Sequence, residues 1–227
     1  MRVNGRIFRT AALFCVAVLL CIPGFMDYHA NAVAVTATDS MEDGKKIALT
    51  FDDGPHPYYT EQLLDGLKER DVKATFFVLG KHVEEYPELV LRMSEEGHLI
   101  GNHTYSHMQL NQGNSDAFKE ELVRTNELIE NLTGQEVQYV RPPYGTWNKK
   151  FEKELNMFPV LWNIDPLDWS SSSVSGIVQK VKAKAKENAI ILMHDEYKTT
   201  VTASLQIVDE LKEQGYEFVT VEELLFD

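Results

Sequence analysis

Ile47-Ala48-Leu49-Thr50-Phe51 runs straight into Asp52-Asp53-Gly54-Pro55. A short, mostly apolar run closed by a turn signal reads as a buried β-strand. Two carboxylates then sit at its carboxyl end. Neighbouring residues on a strand face opposite ways, so the Gly54-Pro55 turn must bend the chain if both acids are to share a cleft. Two carboxylates that close repel each other unless a cation lies between them. An Asp- and Gly-rich turn without chemistry is the plainer alternative.

Outward from that strand, short apolar runs alternate with amphipathic stretches. Strands are expected over Ala74–Leu79, Leu99–Asn102, Val137–Val140, Val160–Ile164, Ala189–Met193 and Glu217–Val219. Helices are expected over Glu61–Arg70, Pro87–Gly97, Asp116–Leu132, Val174–Lys186 and Ala203–Gln214. Ser115 or Asp116 would cap the third of these, and Gly134 would close it. Such alternation implies an α/β fold with a parallel sheet and right-handed crossovers, and about seven strands can curl into a barrel. Barrels of this kind gather their chemistry in loops at the strand carboxyl ends. Asp52 and Asp53 follow the first strand, His103 the third, Arg141 the fourth, Asp165 the fifth and His194 the sixth.

The motifs at those ends are chemically suggestive. His103-Thr104-Tyr105-Ser106-His107 sets two imidazoles four residues apart, the spacing of a helical turn. That spacing suits a metal, or two unrelated surface histidines. No Glu follows His103, so the His-Glu-x-x-His protease arrangement is excluded. A hydrolytic metal site needs three protein ligands, an open position for water and a spare base, and this chain has the groups for it. Arg141 precedes Pro142-Pro143, a stiff loop that fixes where its guanidinium points. Asp165-Pro166-Leu167-Asp168-Trp169 puts two acids beside a large aromatic, and His194-Asp195 ends an apolar strand. Among the other histidines, His82 is expected on a solvated helix face, His98 in a structural role and His56 at the cleft rim.

Taken together and in this order, five motifs resemble those of the NodB-homology polysaccharide deacetylases, carbohydrate esterase family 4. The chain is most similar to that family's bacterial peptidoglycan N-acetylglucosamine deacetylases. The motifs are Thr50–Pro55, His103–His107, Arg141-Pro142-Pro143-Tyr144-Gly145, Asp165–Trp169 and Leu192-Met193-His194-Asp195, and the resemblance runs from about Lys45 to Phe226. It implies a distorted, incomplete (β/α) barrel. It implies a divalent metal, usually zinc with cobalt as an in vitro substitute, bound by Asp53, His103 and His107. Asp52 would then be the general base, held by Arg141, and His194 the general acid, oriented by Asp168, which would raise its pKa. Tyr144 would offer its backbone N–H to the oxyanion, and Trp169 and Leu192 would wall the acetyl-methyl pocket. The implied reaction removes the N-acetyl group from N-acetylglucosamine in peptidoglycan or a chitin-like glycan. O-deacetylation of acetylated xylan and a non-catalytic glycan-binding or coat role remain as alternatives. The last would be expected to lack Asp52, Asp53 or His194.

The first 44 residues are of another kind. Arg2, Arg6 and Arg9 precede an apolar run of twelve residues, Ala11–Ile22, then Pro23-Gly24 and the small residues Ala30-Asn31-Ala32. That is the pattern of a secretory signal peptide over residues 1–32, cleaved before Val33. The apolar run is short against the roughly 20 residues that span a bilayer, although an uncleaved anchor is the rival reading. Residues 33–44 are expected to be an unstructured lead-in and 45–227 the deacetylase domain, so the product is expected outside the cell or on its wall. Both cysteines, Cys15 and Cys21, lie in the leader, so the domain must rest on its core without disulfides. The formal charge of −13 becomes −15 once Arg2, Arg6, Arg9 and Asp27 are removed. Such acidity disfavours nucleic acid and anionic surfaces as partners and fits a neutral or cationic substrate, or serves solubility alone. A polysaccharide is the expected partner, with no nucleic acid and no membrane beyond the leader.

Overall fold

The structure, a computed structural model, describes residues 44–226. The expected leader and all of the lead-in but Gly44 fall outside the described residues. Among those described, no helix is long and apolar enough to cross a membrane.

Seven parallel strands form one curled sheet among the described residues: β1 (Lys45–Asp52), β2 (Thr75–Val78), β3 (Leu99–Asn102), β4 (Tyr139–Val140), β5 (Phe158–Pro159), β6 (Ala189–His194) and β7 (Tyr216–Val219). The order is β5-β4-β3-β2-β1-β6, with β7 also on β1. β6 pairs along β1 from Ile47 to Asp52, so β7 and β2 must share the opposite edge, β7 on its first half and β2 on its second. The sheet closes through a strap: the chain leaves β5, and Ile164 bridges to Ile191 on β6. The expected strand over Val160–Ile164 is therefore mostly this strap, with its ladder pairing earlier, at Phe158–Pro159. The fold is the distorted, incomplete barrel that the motifs implied.

Helices cover the sheet: α1 (Tyr59–Glu69), α2 (Gly80–Glu85), α3 (Pro87–Glu95), α4 (Ser115–Thr133), α5 (Lys150–Leu155), α6 (Val174–Lys184), α7 (Lys198–Glu213) and α8 (Val221–Phe226). α4 ends as expected on Gly134, in the left-handed conformation at φ +73°. Its start differs, since Asn114 is the capping residue and neither Ser115 nor Asp116 supplies a capping bond. α7 begins five residues before the expected Ala203, because burial of Thr200 and Val201 overrides the low helix preference of Thr199, Thr200, Val201 and Thr202.

Alternation along β1 explains how the core becomes a site. Ile47, Leu49 and Phe51 enter the main core with Leu63, Leu64 and Leu67 of α1 and Ile207, Val208 and Leu211 of α7. Phe51 stacks on Phe76 of β2 with ring centroids 5.3 Å apart. The residues between them face the inside of the curl. Ala48 packs there with Phe77, Tyr139, Val160 and Val221. Thr50 and Asp52 follow on the same face, so one row climbs from apolar floor to acidic rim.

Truncating the core should be costly. Phe76 is 1% exposed, so Phe76→Ala should lose about 3–5 kcal/mol of stability. Urea unfolding that finds a loss below about 1 kcal/mol would contradict this packing.

Candidate metal-centred active site

Asp52, the last residue of β1, is 3% exposed. Asp53 leaves the strand at once, at φ +74°. The bend that lets both acids share the cleft therefore begins at Asp53 itself, before Gly54-Pro55. Gly54 is needed for space: a Cβ there would lie 2.4 Å from both carboxylate oxygens of Asp195.

The loop after β3 carries the two histidines. His103 is 3% exposed, and its Nδ1–H donates to the Arg141 carbonyl at 2.5 Å. That bond leaves the Nε2 lone pair facing Asp53. The segment is not helical, as its spacing suggested; Thr104 and His107 have φ of +65° and +66°, so the chain doubles back to present both rings. Asp53 Oδ1 lies 3.4 Å from His103 Nε2 and 3.5 Å from His107 Nε2.

These three residues fit a divalent metal. Asp53 Oδ1 is buried with no hydrogen-bond partner. Ligand atoms held about 2.0–2.1 Å from one tetrahedral ion lie roughly 3.3–3.4 Å apart, which matches the spacing here and exceeds an ordinary hydrogen bond. Burial would raise the Asp53 pKa, but His103 and His107 beside it outweigh that and hold it down at about 2, so the carboxylate is ionised. Burial opposes charge on His103, but Asp52 first and Asp53 next pull its pKa upward. Burial lowers that of His107.

Asp52 stays outside the trio. Its Oδ1 accepts from Arg141 Nη1 at 2.8 Å, and its Oδ2 is 3.7 Å from His103 Nε2. Arg141 is fully buried. It also donates to the Thr50 hydroxyl at 2.6 Å and the Val160 carbonyl at 3.1 Å, and lies 4.2 Å over the Phe77 ring.

His194 pairs with Asp52 in register on β6. Asp168, 1% exposed, accepts from the His194 backbone N–H at 2.8 Å, lies 3.0 Å from its Nδ1, and accepts from Thr200 at 2.8 Å. Burial alone would lower the His194 pKa, but Asp168, followed by Asp52 and Asp53, raises it to about 9. Asp195 serves another purpose: it lies beneath Gly54 and accepts from Thr60, and burial pushes its carboxyl up to about 7.

A cavity of about 340 Å³ joins these groups, lined among others by Asp52, Asp53, His103, His107, Leu192 and His194. Tyr144, at φ +57°, sets its ring 5.0 Å from that of His107, and Trp169 is 55% exposed at the mouth. Asp165 also lines the cavity, while its Oδ1 accepts from Leu167 N in a local turn. Trp162 and Tyr197 line it too and were not singled out from the sequence; each lies three residues past a strand end, β5 and β6 respectively, the one signal that could have found them. His98 is structural as expected: Nδ1 accepts from Ala74 N, and burial lowers its pKa to about 4. His56 is not at the cleft; its Nδ1 accepts from Tyr58 and Tyr59 N–H and caps the start of α1. His82 is not on a solvated face either, since it is half-buried with Nδ1 on the Asp53 carbonyl.

A parallel barrel with an Asp-His-His cluster, a separate buried carboxylate and a carboxylate-bound imidazole at its carboxyl rim has the parts of a metallohydrolase. The family model described as polysaccharide deacetylase matches residues 39–160, and the chain belongs to that family. It is 48% identical over 174 residues to a chitooligosaccharide deacetylase of Rhizobium leguminosarum bv. trifolii, covering 75% of this chain and 80% of that one. It is 41% identical over 197 residues to the peptidoglycan-N-acetylglucosamine deacetylase PgdA of Listeria monocytogenes, covering 87% of this chain but 42% of that protein. The chain thus spans less than half the length of that larger relative. The solved structure of peptidoglycan deacetylase PdaC from Bacillus subtilis superposes with a TM-score of 0.77 at 42% identity, covering 80% of this chain and 90% of that one.

The His194–Asp168 pair should show in a titration of metal-free protein. A folded pKa of about 9 exceeds the ordinary 6.5, so this charge stabilises the fold fully below about pH 6.5. The contribution, of the order of 3 kcal/mol, fades as pH rises through about 9. In Asp168→Asn, NMR should find the His194 pKa lowered by at least one unit, and the stability gap to wild type should narrow at alkaline pH. An unchanged His194 titration would contradict the pairing.

Proposed function

We propose that this chain is a metal-dependent hydrolase of non-peptide carbon–nitrogen bonds, removing the N-acetyl group from N-acetylglucosamine residues of peptidoglycan or a chitin-like glycan. The carrying observation is that a buried carboxylate outside the ligand cluster, Asp52, shares one cavity with an imidazole, His194, whose pKa is raised to about 9. Amide hydrolysis needs such a pair, a base for the attacking water and an acid for the departing nitrogen.

Asp53, His103 and His107 would hold the ion, zinc by family resemblance with cobalt as a substitute. When bound, that ion polarises the acetyl carbonyl and acidifies water. Asp52 takes the proton as the water oxygen bonds to the carbonyl carbon. Arg141 keeps Asp52 aimed through its hydrogen bond to Oδ1. The backbone N–H of Tyr144 donates to the oxyanion as it forms. His194 gives its proton to the nitrogen as the C–N bond breaks, leaving acetate and a free amino sugar. Trp169 and Leu192 close around the methyl group. The presence of Asp52, Asp53 and His194 together favours catalysis over a passive glycan-binding role.

Acetate release from N-acetylchitooligosaccharides, peptidoglycan and acetylxylan, assayed side by side, tests the reading. Release from the first two at rates above acetylxylan is expected. Faster release from acetylxylan would make the protein an O-deacetylase, and no release from any would make it a non-catalytic binder. The leader supports secretion to the medium or wall, with a mature terminus near Val33. Amino-terminal sequencing that finds Met1 on membrane-bound protein would favour an anchor.

The two adjacent acids should separate by mutation. Asp52→Asn should keep the metal and lose about 10²–10⁴ in rate, the usual range for a general base. Asp53→Asn should chiefly weaken metal binding. Equal rate losses with normal metal content in both would refute the division of roles.

A further inference from the structure

The Asp53 carbonyl has a partner that the reaction does not use. At φ +74° Asp53 holds a left-handed conformation, which any residue with a Cβ adopts at a cost. That turn swings its carboxylate toward His103 and His107 while Asp52 remains on the strand beside Arg141. His82, on α2, donates from Nδ1 to the Asp53 carbonyl at 2.8 Å. A carbonyl only accepts, so the proton sits on Nδ1. His82 is not among the residues lining the cavity.

The same short helix also holds the other ligand loop. Just before it, Leu79 N–H donates to the Gly54 carbonyl at 3.0 Å; Gly80 and Lys81 N–H donate to the Thr104 and Tyr105 carbonyls at 3.0 and 3.1 Å. Thr104 and Tyr105 lie between His103 and His107. The approach is close: a Cβ on Gly80 would lie 2.5 Å from Thr125 Oγ1 and 2.6 Å from the Tyr105 ring. Farther out, the Tyr105 hydroxyl and Arg124 donate to Glu84 of α2 at 2.7 and 3.0 Å. Arg124 lies 3.6 Å over the Tyr105 ring.

We propose that α2 is a brace between the two metal-ligand loops, and that His82 is its positioning residue, holding Asp53 in the ligating conformation through the Asp53 carbonyl. The inference rests on the metal reading of Asp53, His103 and His107. Losing the His82 donor frees Asp53 to relax toward the strand, and its carboxylate leaves the two imidazoles. Partners of this outer kind are worth about 10–100-fold in metal affinity.

The test is zinc affinity of the metal-stripped chain, measured by competition with a chromogenic chelator. His82→Phe keeps a ring but removes the donor, and His82→Leu does the same should the phenyl variant fail to fold. Either should raise the zinc Kd about 10–100-fold, while kcat at saturating zinc returns close to wild type. His82→Asn places an amide N–H at the same two-bond reach from Cβ and should restore affinity. Wild-type zinc binding with an unchanged Kd in the Phe and Leu variants overturns the brace and leaves the metal site standing. So does an Asn variant as weak as the Phe variant. Wild-type protein that takes up no zinc overturns both.

Discussion

A fully buried guanidinium can persist only if its charge and its donors are satisfied, and Arg141 meets that demand by gathering the barrel rim around itself. It bonds Asp52 and Thr50 on β1 and the Val160 and Leu161 carbonyls of the strap, while its own carbonyl accepts from His103. The end of β4 is thereby tied to β1 and to the strap. The same contacts set the two neighbouring acids apart. Asp52 is committed to Arg141, so Asp53 alone is left to turn toward the imidazoles. Removing one member of such a buried pair strands the other, at a cost of about 3–5 kcal/mol. Stability and chemistry therefore meet in one residue.

The remaining charges follow from that commitment. Asp52, Asp53 and Asp168 crowd one rim against Arg141 and a charged His194. The excess of negative charge is what draws the His103 pKa up against its burial. A divalent cation held there would compete with the His103 proton, so its affinity would weaken as the pH falls. Asp168, itself held by the Thr200 hydroxyl, anchors His194 from behind. In the proposed reaction the cavity would thus separate a group that takes a proton from one that carries it.

Much of this was legible in the sequence because the chemistry follows strand ends. A buried strand that stops at Asp52-Asp53, and others that stop at His103, Arg141 and His194, meet at one rim in any parallel barrel. What was hidden depends on backbone conformation or on long-range contacts. The left-handed turns at Asp53 and His107 are unusual for non-glycine residues and leave no local signature. α2 is six residues long with a glycine at its start, so it lacks the periodicity that betrays a helix. His82 therefore looked solvated, although it bonds the backbone of a residue 29 positions earlier. β5 pairs through two residues only, too few to tell from the strap that follows.

In the proposed mechanism one divalent ion held by Asp53, His103 and His107 would make this cavity catalytic, with Asp52 and His194 moving the protons. Titrating zinc into metal-free protein while following acetate release from an N-acetylglucosamine oligomer tests it most directly. No release is expected without metal, then a rise proportional to added zinc and a plateau at one equivalent per chain. Undiminished release from metal-free protein, or none at full occupancy, would contradict it.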